Sequence, residues 1–136
     1  MSKLFVSGSK SISTLSEDFI SALKEVVAEG SEILVGDCYG VDSAVQKLLA
    51  EWGYSNVTVY CSGETPRNYF LKEGRIRSCA EAAIGLKGRA YNYVKDIAMC
   101  NDCDNAMMFW NGISRGTLQN IRRVREAGKP MTIFRV

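Results

Sequence analysis

The sequence predicts an α/β fold, a single Rossmann-like three-layer domain on a mainly parallel five-stranded sheet. Three observations carry this. Short apolar runs alternate with stretches of helical periodicity along all 136 residues. The runs are apolar throughout, as strands covered on both faces are, rather than alternating between apolar and polar. No repeat, low-complexity tract or linker divides the chain, and its length is that of one domain with a sizeable core.

The elements follow in order. "KLFVS" is a strand, and "TLSEDFISALKEVVAEG" a helix with Phe19, Leu23, Val26 and Val27 on one face. Thr14 and Glu17 have capping-box spacing at its start, and Gly30 ends it. "EILVG" is the second strand. The helix after it carries Val41, Ala44, Val45, Leu48, Leu49 and Trp52 at helical spacing. "NVTVYCS" is the third strand, "YNYVKDIAMCND" a helix, "NAMMFW" the fourth strand, residues 116 to 127 a helix and "MTIFRV" the closing strand. Strand–helix alternation of this kind implies parallel strands with right-handed crossovers and helices on both faces. Residues 61–90 stand apart. They hold Arg67, Lys72, Arg75, Arg77, Lys87 and Arg89 where one short helix would suffice. They read either as a solvated loop or as a basic flap over the carboxyl ends of the strands, where open α/β sheets bind ligands.

The composition, with 46% apolar and 24% charged residues, is that of a soluble globular protein. The opening "MSKLFVSGSKS" lacks the apolar run of a signal peptide, and no stretch has membrane-spanning length. With five cysteines and no secretory signal, a reducing cytoplasm is the expected location and disulfides are not expected. The chain has no histidine. That excludes Ser-His-Asp and Cys-His nucleophile systems and histidine-dependent zinc sites. No metal or cofactor is expected. Cys100 and Cys103 form a CxxC at the end of a helix, where the helix dipole raises a thiol pKa, so they read as small core residues. A net charge of +2 is too small to argue for nucleic acid.

In a parallel sheet every strand-to-helix turn falls on one edge. Three such turns are rich in small residues: Ser7-Gly8-Ser9-Lys10, Gly36-Asp37-Cys38-Tyr39-Gly40, and Asn111-Gly112-Ile113-Ser114-Arg115-Gly116-Thr117. Glycines let a ligand reach the backbone, and helix N-termini offer free N–H groups and partial positive charge. Together they make a phosphate-sized cradle, to which Arg115 adds a charged donor and Thr117 a hydroxyl. None matches the dinucleotide fingerprint GxGxxG or the P-loop pattern, which weakens redox and NTPase readings.

At this point the chain resembles the SLOG superfamily. That group includes the LOG cytokinin-releasing phosphoribohydrolases, the DprA DNA-processing proteins and sensors of nucleotide-derived signals. "GDCYGVDSAVQ" looks like its GGxxGxD turn, while "YVKDIAM" and "WNGISRGTLQNI" fall where LOG proteins carry RKxxM and PGGxGTxxE. "GSKSI", "YCSG" and "PRN" resemble a little-described bacterial and phage branch. The resemblance implies a nucleotide cradle in a cytoplasmic protein, and a homodimer. It does not carry over the chemistry. The LOG glutamate three residues after the motif's threonine is Asn120 here, Lys95 stands for arginine, and Asp96 stands for lysine.

The expected ligand contacts are therefore Ser7, Gly8, Ser9, Lys10, Gly36, Asp37, Tyr39, Gly40, Asp42, Arg67, Lys95, Asp96, Trp110, Asn111, Gly112, Ser114, Arg115, Gly116, Thr117 and Asn120. Asp42 reads either as a carboxylate favoured by the helix dipole or as a ribose acceptor or general acid/base. Lys95 and Asp96 are adjacent on a helix, so one facing the pocket turns the other toward a neighbouring element. Tyr39 and Trp110 are candidate base-stacking platforms or core caps. Arg122, Arg123 and Arg125 read as the wet face of the last helix. Three functions compete. The first is a module or sensor binding a nucleotide or nucleotide-sugar. The second is an N-glycosidase of nucleoside phosphates using Asp96, Asp42 or Asp37, since an oxocarbenium-like transition state needs a carboxylate. The third is DprA-like single-stranded DNA binding, which needs a basic groove with stacking platforms.

Overall fold

A computed structural model describes residues 2–136. It contains a six-stranded, all-parallel sheet: β1 (Lys3–Gly8), β2 (Glu32–Gly36), β3 (Val57–Cys61), β4 (Arg75–Ser78), β5 (Asn105–Trp110) and β6 (Met131–Arg135), in the order β4-β3-β2-β1-β5-β6. The helices are α1 (Glu17–Ala28), α2 (Val41–Glu51), α3 (Gly88–Asp102) and α4 (Arg115–Glu126). The chain is a Rossmann-like α/β domain, and every predicted strand is present.

Alternate residues of the central strands feed two cores, as period-two geometry requires. Leu4, Val6, Ile33, Val35 and Phe109 pack with Phe19 and Leu23 of α1 and Val45 and Leu49 of α2. Phe5, Leu34 and Met108 pack on the other face with Val94 and Met99 of α3 and Ile121 and Val124 of α4. Strand order grows from β1 toward β2 on one side and jumps to β5 on the other. The chain therefore reverses its winding between β1 and β5. A crevice opens at such a switch point, outside the carboxyl ends of the strands.

Three local expectations change. The sixth strand, β4, lies inside residues 61–90. All four of its residues are exposed, so it has no apolar face for a sequence pattern to reveal. Backbone pairing to β3 holds it, and it places Arg75 and Arg77 along the sheet edge, where charge discourages further strand addition. Two of the stretch's six basic residues thus belong to the sheet edge: Arg75 pairs with Glu32, and Arg77 pairs with Asp102 and lies over the Tyr60 ring. Helix α1 begins later than the Thr14–Glu17 spacing suggested. Its N-cap is Ser16, whose hydroxyl accepts the Phe19 N–H at 3.3 Å. Gly30 follows the helix in the left-handed region at φ 78°, as a terminating glycine should. Cys100 and Cys103 are free thiols buried at the end of α3.

Candidate functional site

At the β1/β5 crevice lies a cavity of about 350 Å³, within the roughly 300–1,000 Å³ usual for small-molecule sites. Three strand-to-helix connections open on it. The end of β1 supplies Ser7, Gly8 and Lys10; the β2–α2 connection supplies Cys38 and Asp42; and the start of α4 supplies Ser114, Arg115, Gly116 and Thr117, with Asn120 one turn on. Arg67 reaches in from the segment after β3. The three small-residue turns thus sit on one edge, as parallel strands dictate.

One wall was not foreseen residue by residue. Arg89, Asn92, Tyr93, Lys95 and Asp96 of α3 line the cavity. Arg89, Asn92, Tyr93 and Asp96 are spaced three and four apart, which is one helix face. Counting back from Asp96 in helical steps would have found the other three. Cys38, between the two aspartates of the second turn, is the remaining addition.

The carboxylate floor is dense. Asp42, Lys95 and Asp96 are 6%, 5% and 8% exposed. The Lys95 ammonium donates to Asp96 Oδ1 at 2.8 Å. Adjacent helix positions were expected to diverge, but both side chains reach the cavity, because the four-carbon lysine stem bends its charge back beside its neighbour. Asp42 Oδ2 accepts the Cys38 N–H at 3.2 Å. Burial, with a smaller push from Asp96, raises the Asp42 carboxyl to about 7 against the pull of Lys95. Lys95 is held protonated: burial works against its charge, and Asp96 and Asp42 prevail. A lysine so held is a fixed cation, not a nucleophile. Burial and then the Asp42 charge push the Cys38 thiol up, so it offers no ready thiolate.

The start of α4 supplies partial positive charge. Ser114 caps α4 without a side-chain hydrogen bond, leaving the first-turn N–H groups free of any side-chain cap. A Cβ built on Gly116 would meet nothing within 4 Å, so the backbone there is open to a ligand. Lys10, Arg89 and Arg115 line the same cavity.

Several expected contacts serve the turns themselves and do not line the cavity. Asn111 Oδ1 accepts from the Ile113 and Ser114 N–H groups at 2.9 and 2.8 Å, folding the turn into α4. Gly112 adopts φ 82° in that turn, against the Arg135 guanidinium. Ser9 is fully buried, and its hydroxyl accepts the Asn111 N–H at 3.1 Å. Gly40 takes φ 72°, with the Ser9 and Lys10 carbonyls filling the space of a side chain. Gly36 leaves room for Asp42 and Lys95: an added Cβ would lie 2.6 Å from Asp42 Oδ2. Close packing accounts for a glycine at each of these positions. Trp110 donates its indole N–H to the Ser114 carbonyl at 3.0 Å under the Arg135 guanidinium. Tyr39 is 67% exposed and does not line the cavity.

Asp37 is buried and used up. It accepts the Arg67 N–H at 2.8 Å and the Arg67 guanidinium at 2.9 Å. Burial opposes its charge, but these bonds hold its carboxyl below the usual range. The Asn68 amide donates to the Asp37 carbonyl at 2.8 Å. Gln46 binds the Asn68 carbonyl and the Phe70 N–H. Residues 67–70 are therefore bolted to β2 and α2.

Among the described residues no three His, Cys, Asp or Glu side chains converge as a metal set, and no helix is long and apolar enough to cross a membrane. No protein-family model, curated protein or solved structure matches this chain.

Proposed function

We propose that the crevice binds a nucleotide or nucleotide-derived ligand, a nucleoside phosphate or an ADP-ribose-like molecule, and that the protein acts as a sensor or binding module. One observation carries this reading. The uncapped first turn of α4, with Gly116 open, lines one cavity together with Arg115, Lys10 and the Asp42 and Asp96 carboxylates. An anion suits the helix turn with its cations, and hydroxyl or amino donors suit the carboxylates, which is the polarity of a sugar phosphate. The paired glycine turns that resemble the SLOG superfamily support the same reading at the level of sequence.

Calorimetric titration with AMP, ADP, ADP-ribose and adenosine tests it. Gly116→Leu is expected to weaken AMP binding by about tenfold or more, the loss of backbone bonds to a charged group. Its melting temperature should hold, because nothing packs on that position. Arg115→Ala should weaken binding too, most for the ligands with more phosphates. Unchanged affinities in both variants would place the phosphate elsewhere.

A second reading, hydrolysis of the base–ribose bond, is favoured by Asp42, whose carboxyl is raised to about 7 beside the Lys95–Asp96 pair. A carboxyl titrating near neutrality is matched to general acid/base work. Asn120 has no acid/base capacity of its own. Incubation with a panel of nucleoside monophosphates, followed by chromatography for free base, separates the readings. The binding module releases none. Release abolished by Asp96→Asn or Asp42→Asn would replace it with the hydrolase.

A further inference from the structure

Asn120 is 2% exposed, and both ends of its amide are engaged. Arg123, one turn on in α4, donates from Nη1 to Asn120 Oδ1 at 2.7 Å. A guanidinium can only donate, so the atom it meets must be the carbonyl oxygen, and the amide cannot flip. Its NH2 group is thereby turned toward β1, where it donates to Ser7 Oγ at 2.9 Å. Ser7 is buried and borders the cavity, and among the described residues Asn120 is its hydroxyl's hydrogen-bond partner. With a lone pair committed to Asn120, the hydroxyl proton is left to point at whatever occupies the cavity. Arg123 is itself held in place, with its guanidinium 4.6 Å from the centroid of the Tyr93 ring that forms part of the cavity wall.

We infer that Arg123 and Asn120 are positioning residues that set Ser7 as a hydrogen-bond donor to the ligand's phosphate, so that this corner favours an acceptor. The inference rests on the reading of the crevice as a nucleotide site. It gives Arg123 a role that its place on a solvent-facing helix conceals, and it makes Asn120 an orienting group rather than a direct contact.

The test is a double-mutant cycle read by the affinities for AMP and adenosine. Ser7→Ala should weaken AMP about tenfold, as loss of a bond to a charged acceptor does, and leave adenosine within about twofold. Asn120→Asp keeps the Arg123 contact but offers Ser7 only acceptors. The hydroxyl must then turn its proton inward and its lone pairs toward the phosphate. AMP affinity should fall further than in Ser7→Ala, and the effect should shrink in the Ser7→Ala background, because the two residues act through one bond. Arg123→Met, which frees the amide to flip without adding charge, should cost AMP several-fold with Ser7 present and nothing without it; it serves equally should Asn120→Asp fail to fold. Losses of the same size in both backgrounds, or no loss, would overturn the inference while leaving the nucleotide site standing. A wild type that binds neither AMP nor inorganic phosphate would instead remove the site, and the inference with it.

Discussion

Asp42→Asn is expected to stabilise the protein above neutral pH by up to about 4 kcal/mol, from a shift of roughly three pKa units at about 1.4 kcal/mol each. The carboxyl is buried in the first turn of α2 and rises from 3.8 to about 7, chiefly through burial. A carboxyl that holds its proton more tightly in the fold than in the unfolded chain adds stability that is complete below about pH 4. That stability is lost as pH rises through about 7. Asparagine keeps an oxygen for the Cys38 N–H and removes the titration. Urea denaturation at pH 5, 6.5 and 8 should show wild-type stability falling across the series and the variant nearly flat. Parallel slopes would mean that Asp42 is not the buried group responsible. Asp37 works with the opposite sign: its pKa is lowered, so its stabilisation is present above about pH 4 and fades as pH falls below that. The two aspartates of one turn thus act in separate pH windows.

The opposite burdens on Asp37 and Asp42 explain what the sequence could and could not reveal. Both stand in one glycine-flanked turn, and the pattern of strands and helices located that turn, with the other two, on one edge. Periodicity alone was enough for this, because buried parallel strands and amphipathic helices leave a strong hydrophobic record. Edge strand β4 left none, since its residues are all exposed and its bonds come from the backbone. Within the turns, sequence could not sort residues that face the cavity from those that build the turn. Asn111 and Gly116 look equally ligand-ready in the string, yet Asn111 spends its side chain on the Ile113 and Ser114 N–H groups while Gly116 stays open. Asp37 is spent on Arg67, thirty residues away in sequence, a pairing that no local pattern announces. The α3 wall was partly legible, because Arg89, Asn92 and Tyr93 share a helical face with Asp96. Arg123 was not, because a guanidinium on the outer helix reads as solvated until its contacts with Asn120 and Tyr93 are seen.

Lys95→Met is expected to be the most damaging single change at the site. The Lys95 ammonium is the buried cation against Asp96, at 2.8 Å, and it also pulls against the raised pKa of Asp42. Methionine matches its stem in bulk but leaves Asp42 and Asp96 buried beside each other without a positive partner. Removing one member of a buried pair costs about 3–5 kcal/mol, because the charge left behind has neither water nor counterion. The loss should be largest at pH 8. It should lessen toward pH 5, where a proton can neutralise Asp42 in place of the lysine. Adding Asp42→Asn to Lys95→Met should recover part of the loss at pH 8, a non-additive result that identifies mutual repulsion of the carboxylates as its source. Denaturant midpoints for wild type, both single variants and the double variant at the two pH values read this directly. If Lys95→Met lost no stability at pH 8, or lost an amount that neither pH nor Asp42→Asn altered, the cavity floor would owe its integrity to packing, and the buried cation would be free to serve the ligand alone.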